Sequence, residues 1–216
     1  MSESALHESP RQPGAGAPGI LEHLRTATES AHASIERVPA LRRLLSPDLT
    51  VDDYVATLRH LRAFQGSLEP LLALRLRGAS LAERLLDGHQ LAALDADLAW
   101  FHAVPLQPPL LHAPASLAAA LGALYVLEGS NLGGRVIGKH VARTLGVRPG
   151  SGGSFHCGLG AQDARGRWQI LKEAMRAEVD LAGLAFEPVT TAALATFGAL
   201  EAWMRETESP SESGLL

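Results

Sequence analysis

One apolar stretch of this sequence, LGALYVLEGSNLGGRVIG at residues 121–138, has the pattern of a helix and yet contains five glycines. A glycine inside a helix costs about 0.5–1 kcal/mol relative to alanine, so the missing side chains must serve a purpose. Gly129, Gly133 and Gly134 are separated by about one turn, which clears one flank of the helix to bare backbone. Such a flank allows the close approach of another helix or of a flat ligand, and the segment alone leaves both open.

The composition favours helices packed on helices. Hydrophobic residues make up 46% of the chain but aromatic residues only 5%, and leucine and alanine are frequent. A net charge of −4, with no basic stretch that also carries aromatic residues, argues against a nucleic-acid partner. Cys157 is the single cysteine, which excludes an intrachain disulfide and a cluster of thiolate metal ligands. With neither a long charge-free apolar run nor a signal-peptide pattern, we expect a cytoplasmic protein without a membrane partner.

Helical periodicity predicts one all-α domain of seven or eight helices over residues 19–206. We expect residues 1–18 to form a disordered N-terminal tail and residues 207–216 a flexible C-terminal tail. Thr50 and Ser116 are predicted helix N-caps. The predicted helices cover residues 20–37, 41–45, 50 to beyond Pro70, 79–87, 90–102, 116–146, 163–182 and 188–205, with a loop at 148–160.

The first predicted helix carries a polar stripe. Arg25, His32 and Glu36 stand at i, i+7 and i+11, so a continuous helix would place them on one face. A histidine with a carboxylate one turn later has a partner for one ring nitrogen, which leaves the other nitrogen for a metal. Arg25, two turns earlier, could reach an anionic group of the same ligand. The chain has nine histidines, and a plain surface histidine fits this position as well.

Two segments together resemble the bacterial heme oxygenase family, especially members that supply biliverdin to phytochromes. They are LRTATESAHASIE at residues 24–36 and YVLEGSNLGGRVI at residues 125–137. The resemblance spans residues 20–206 and implies a single all-α domain with heme b between a proximal helix and a kinked, glycine-rich distal helix. It implies that heme is cleaved with O2 and electrons to biliverdin, iron and CO. The implied partners are an electron donor, ferredoxin or a reductase, and a biliverdin acceptor such as a bacteriophytochrome.

The resemblance also implies roles for residues of the first segment. By position, His32 matches the proximal iron ligand, and Glu36 matches the carboxylate that hydrogen-bonds this histidine. Arg25 occupies the place of a basic residue that pairs with a heme propionate. Thr28 lies on nearly the same face and is included among the predicted heme-binding residues.

In the second segment, Gly129, Gly133 and Gly134 match the distal glycines that let backbone lie against the porphyrin. Ser130 stands where many members carry an aspartate that organises water, and it is either a water organiser or part of a helix kink. Gly129, Ser130 and Gly133 form the predicted catalytic set. Tyr125 is predicted to contact the heme or to lie in the core.

Other residues complete the predicted site. Phe155 is expected to wall the heme edge, as the family has an aromatic residue near the loop after the distal helix. The family's second basic residue near the propionates has three candidates here, Arg167, Lys172 and Arg176. A basic run at the end of the distal helix is either a solvated helix face or a docking face for an acidic electron donor; it comprises Arg135, Lys139, His140 and Arg143.

Two further functions are compatible with parts of the sequence. A heme-binding or storage protein on the same fold would keep His32 but lack productive distal chemistry, and the serine at position 130 is its only support. A carboxylate-bridged di-iron enzyme would use Glu-x-x-His motifs, and Glu29-Ser-Ala-His32 is one. Di-iron bundles need two such motifs and two more glutamates, and the sequence has no second copy.

Overall fold

The computed structural model describes residues 19–206, except for the side chains of residues 159–163. The predicted tails at 1–18 and 207–216 lie outside the described residues. Within the described part the fold is all-α, as predicted. The helices are α1 (Ile20–Ala27), α2 (Glu29–Glu36), α3 (Pro39–Arg43), α4 (Val51–Arg75), α5 (Ser80–Leu85), α6 (His89–Trp100), α7 (Leu117–Leu145), α8 (Ser154–Cys157), α9 (Leu159–Met175) and α10 (Phe186–Arg205), with one π-helical turn, Arg176–Leu181, after α9.

The predicted caps of the two longest helices are confirmed. Thr50 accepts a hydrogen bond from the Asp53 amide, and the Asp53 carboxylate accepts one from the Thr50 amide, which makes a reciprocal capping box at the start of α4. Ser116 accepts a hydrogen bond from the Ala119 amide at the start of α7. Gly146 ends α7 in the left-handed conformation, with φ 71°, which glycine adopts without steric cost.

The prediction of one helix over residues 20–37 is wrong, because the helix is interrupted at Thr28. This residue has φ −99° and ψ 1°, outside the helical range, and separates α1 from α2. Its hydroxyl donates to the Leu24 carbonyl at 2.7 Å, and the side chain is buried. Arg25 and His32 therefore lie on two different helices.

The predicted loop at residues 148–160 is also partly helical. It contains the short helix α8, whose first amides are bound by a carboxylate from α6. Asp97 accepts from the amides of Ser154 at 2.6 Å and Phe155 at 2.8 Å. These extra elements raise the number of α-helices from the expected seven or eight to ten in the described part.

Helix α10 packs against both α7 and α2 and forms the centre of the main hydrophobic core. A second, smaller core cluster lies around Tyr54, where α4, α6 and the end of α7 meet. No helix in residues 19–206 is long and apolar enough to cross a membrane. The fold therefore holds the two segments singled out in the sequence, α1–α2 and α7, against one common helix.

Candidate functional site

His32 lies on the outer side of α2, and α10 fixes its position. Ile35 anchors α2 in the core, and the Ser34 hydroxyl donates to the Glu201 carboxylate of α10 at 2.8 Å. The His32 ring meets Phe197 of α10 edge to face, with ring centroids 5.9 Å apart. The imidazole is held from one side, while 57% of the side chain stays exposed.

One nitrogen of the His32 ring faces a carboxylate. His32 Nδ1 lies 3.5 Å from Glu36 Oε1, one helical turn later, which is longer than a normal hydrogen bond. The other nitrogen, Nε2, has no polar partner among the described residues. A neutral imidazole whose Nδ1 faces a carboxylate can offer Nε2 to a metal ion.

The five glycines of α7 fall into two groups, and two of them serve helix packing. A Cβ on Gly122 would lie 2.1 Å from the Val189 carbonyl oxygen of α10. A Cβ on Gly138 would lie 2.1 Å from the His156 carbonyl oxygen of α8. Real Cβ atoms do not approach backbone this closely, so these two glycines let α7 touch its neighbours directly.

The other three glycines belong to residues 129–134, which we call the glycine segment, and each has room for a Cβ atom. A Cβ on Gly129 would be 3.8 Å from the Trp168 ring, and one on Gly134 would be 3.9 Å from the His156 ring. A Cβ on Gly133 would meet no atom within 4 Å. Packing within the described fold therefore does not explain why a side chain is missing at Gly133.

The surface beside Gly133 is open and apolar. Val136, three residues further along α7, is 63% exposed, and Gly133 and Gly134 present no side chains on the helix before it. Ser130 is also exposed, and its hydroxyl donates to the Leu127 carbonyl at 2.7 Å. Because a hydroxyl oxygen also has acceptor capacity, Ser130 can still accept a hydrogen bond from water.

On the proximal side, Arg25 is exposed in the last turn of α1 and makes no ion pair within the described residues. Thr28 is buried, and its only hydroxyl proton is directed at the Leu24 carbonyl. Arg25 is therefore available to an anionic group, whereas Thr28 shapes the break between α1 and α2.

The structure shows what the two aromatic residues predicted for the site, Tyr125 and Phe155, pack against. Tyr125 packs against Trp168 of α9, with ring centroids 5.5 Å apart, and is partly buried at the main core. Phe155 packs against the second core cluster and meets the His156 ring at 4.8 Å. The described contacts do not bring Phe155 to α2.

Arg167, a candidate for the propionate anchor, is instead buried in an ion pair. Its side chain is 5% exposed, and its Nη2 donates to Glu128 Oε1 at 2.8 Å. Arg167 is therefore held inside the fold and is not exposed to an anionic ligand. Sequence alone gives no sign of this pair, because Arg167 has the spacing of a surface residue and its partner is 39 positions away.

Two more acidic residues share the surroundings of Arg167. Asp87 Oδ1 lies 3.4 Å from Arg167 Nη1. Burial raises the pKa of Glu69, on α4, to about 7, although the positive charge of Arg167 opposes this shift. This polar cluster lies between α4, α7 and α9 and was missed at the sequence level.

An imidazole nitrogen without a polar partner among the described residues and a helix flank bared to backbone are features of the class of all-α protein that could hold a flat, metal-containing ligand. Comparison with known proteins agrees with this class. The family model described as heme oxygenase matches residues 19–206. The chain belongs to the heme oxygenase family.

Solved structures show the same fold. The NO- and CO-bound heme oxygenase from Neisseria meningitidis aligns with a TM-score of 0.70 and 20% identity, over 92% of this chain and 96% of that one. Heme oxygenase from Leptospira interrogans gives a TM-score of 0.67 and 20% identity, over 88% and 100%. Heme oxygenase-1 from the cyanobacterium Synechocystis, in complex with heme, gives 0.68 and 15%, over 88% and 93%. Among curated proteins there is no match.

Family membership defines the reaction. The chain is an enzyme that degrades heme to biliverdin, and proteins of this family bind heme and use O2 and a reductant. Heme storage without degradation is not favoured.

Proposed function

We propose that heme b binds between α2 and the glycine segment of α7, with His32 as the proximal iron ligand. The observation that carries this proposal is the contrast among the glycines: Gly122 and Gly138 are needed for helix packing, whereas the space beside Gly133 is open. A flat porphyrin would lie against such a flank, and a side chain there would hold it away.

On the proximal side, His32 would bind the iron through Nε2 while Glu36 orients the ring through Nδ1. The Phe197 ring and the docking of α2 on α10 would keep the imidazole in place. Arg25 would pair with a propionate, because it is exposed and free of carboxylate partners in the described part. Thr28 would contribute by setting the angle between the helices that carry Arg25 and His32.

On the distal side, Gly129, Gly133 and Gly134 would present backbone to the porphyrin face. The Ser130 hydroxyl would accept a hydrogen bond from a water molecule, because the hydroxyl's own proton is donated to the Leu127 carbonyl. Tyr125 would contact the edge of the heme from beside Trp168, and Phe155 would contact it from α8, on which it lies. Bound heme supplies the iron that activates O2, and its porphyrin ring is the substrate that is opened. A neutral histidine ligand avoids the electron donation by which a thiolate favours O–O cleavage.

An acidic electron donor, ferredoxin or a reductase, would dock on the basic face of α7. Arg135, Lys139, His140 and Arg143 line an open cavity of about 610 Å³, together with Arg165 of α9 and three apolar side chains. Among the side chains that the structure describes, none of those lining this cavity is a carboxylate. Clustered positive charge of this kind speeds association with an acidic partner at low salt. Biliverdin would pass to an acceptor such as a bacteriophytochrome.

Loss of the proximal ligand tests the proposal. Wild-type protein with hemin should show the iron–histidine stretching band in the resonance Raman spectrum of the ferrous form. His32→Ala should lack this band, and added imidazole should restore it by filling the place of the side chain. His112→Ala, which removes an exposed histidine from the connection before α7, is the matched control and should keep the wild-type band. An unchanged band in His32→Ala would refute the ligand assignment.

A further inference from the structure

A buried ion pair stands directly before the glycine segment. Glu128 is fully buried, and Arg167 of α9 binds both of its carboxylate oxygens, with Nη2 to Oε1 at 2.8 Å and Nε to Oε2 at 3.1 Å. A bidentate arginine–carboxylate pair fixes direction as well as distance. The pair therefore restrains the side chain of Glu128 and, through it, one turn of α7.

The pair is part of a larger set of contacts that joins three elements. Asn131, in the same turn of α7, donates to Glu128 Oε2 at 3.3 Å, so it and Arg167 of α9 converge on one carboxylate. Arg167 also donates to the Leu85 carbonyl at the end of α5 and faces the Asp87 carboxylate at 3.4 Å. One guanidinium thus ties α7 to α9 and to the end of α5.

Helix geometry links this pair to the open flank. Successive residues are about 100° apart around an α-helix, so Ser130 lies about 200° and Gly133 about 140° from Glu128. Glu128 and Asn131 share the side that faces Arg167. When that side of α7 is held against α9, Ser130 and Gly133 face away from α9, and both are exposed.

The glycine segment needs such a restraint, because its own sequence gives it little rigidity. Glycine is the most permissive residue of the backbone, and residues 129–134 contain three. Within the described residues, no atom lies within 4 Å of a Cβ placed at Gly133, so packing does not restrain the helix at that position. Buried ion pairs contribute little net stability, but they can specify one arrangement.

We propose that Glu128 and Arg167 are positioning residues, which fix the rotation of α7 so that the backbone of Gly133 and the hydroxyl of Ser130 face the substrate. The consequence for heme rests on the proposed function; the restraint on the glycine segment does not. Neither side chain touches substrate in this arrangement.

Hydrogen–deuterium exchange on the heme-free, full-length protein tests the restraint. The main variant is the double substitution Glu128→Leu with Arg167→Met, which replaces the buried pair by apolar side chains. Replacing a buried ion pair by apolar side chains is often neutral or stabilising, so the variant should stay folded with an unchanged or higher Tm. Amides within residues 126–137 should exchange roughly ten- to hundredfold faster, the equivalent of losing one charge-assisted hydrogen-bonded contact.

Two single variants sharpen the test. Arg167→Lys keeps the charge but not the planar fork, and it should give a smaller increase in exchange. Arg62→Met is the matched control, because Arg62 forms a bidentate pair with Asp95 between α4 and α6, and no hydrogen bond or ion pair of Arg62 within the described residues reaches α7. It should leave exchange within residues 126–137 unchanged.

A second readout concerns the orientation of the glycine segment toward substrate. With hemin and ascorbate, the double variant should give a different ratio of biliverdin isomers from wild type, a change that simple loss of stability would not produce. Wild-type exchange within residues 126–137 in a stably folded double variant would overturn the proposal. If the double variant exchanges faster but the wild-type protein binds no hemin, the restraint on the glycine segment is supported and the proposed function is refuted.

Discussion

Substituting alanine at two glycines of α7 should have opposite effects on stability. In Gly133→Ala the new methyl group meets no atom within 4 Å, so the variant gains only helix propensity, about 0.5–1 kcal/mol. For a chain of this size that corresponds to a rise in Tm of about 1–4 °C. In Gly138→Ala the methyl group would lie 2.1 Å from the His156 carbonyl oxygen, and overpacking of this kind costs about 1–3 kcal/mol. Backbone cannot rotate aside as a side chain can, so this cost exceeds the gain in propensity and Tm falls.

Thermal unfolding of the heme-free proteins, followed by circular dichroism, measures both effects. Heme then separates the packing and ligand roles. Heme at 100 times its Kd raises the stability of a protein by about 2.7 kcal/mol, and each tenfold loss of affinity removes about 1.4 kcal/mol of this gain. We expect the heme-induced rise in Tm to be smaller in Gly133→Ala than in wild type. A heme-free Gly133→Ala protein that is as destabilised as Gly138→Ala would refute the open space beside Gly133. A heme-induced rise in Tm as large in Gly133→Ala as in wild type would refute the proposal that the porphyrin occupies the space beside Gly133.

Three further predictions follow from the same structure. Gly133→Leu should abolish the Soret band on titration with hemin while the far-ultraviolet circular dichroism stays that of wild type; wild-type heme binding and turnover would count against a porphyrin on this flank. Burial raises the pKa of Glu69 from its ordinary value near 4.5 to about 7, so the charged form destabilises the fold and stability is lost as pH rises from 4.5 through 7. Glu69→Gln should therefore match wild type near pH 4.5 and exceed it by up to about 3 kcal/mol above pH 8 in urea unfolding; a constant difference across this range would contradict the argument. Lys139→Glu with Arg143→Glu should raise the KM for an acidic electron donor, more so at low salt, while turnover driven by ascorbate stays at the wild-type level; equal loss with both reductants would exclude docking as the cause.

Local chemistry in the sequence was sufficient to predict the all-α fold, the starts of its two longest helices and the end of α7. The capping residues Thr50, Ser116 and Gly146 bind backbone groups within four residues of themselves. Their capping roles can therefore be predicted without knowledge of the tertiary structure. The family resemblance rests on two short segments and was confirmed by a match over residues 19–206.

Features that depend on distant partners were not predictable. The sequence pattern groups the glycines of α7 together, but only the approach of α8 and α10 separates Gly122 and Gly138 from Gly133. Arg167 has the spacing of a solvated residue on an amphipathic helix, and its burial results from Glu128 on another helix. The break at Thr28 is a local feature, but no proline or glycine marks it. Its only local signal is a hydroxyl that donates to the Leu24 carbonyl. Long-range contacts thus decide which of several locally acceptable roles a residue takes.

The most direct test of the account is a single turnover experiment on the wild-type protein. Hemin is added to form the complex, then ascorbate under oxygen with catalase present, so that free peroxide does not bleach the heme, and the absorbance spectrum is followed. We expect a Soret band to form and then to decay into the broad red absorption of a bilin, which extraction and chromatography identify as biliverdin. A Soret band that forms and persists, with ascorbate and then with a ferredoxin and its reductase, would contradict it.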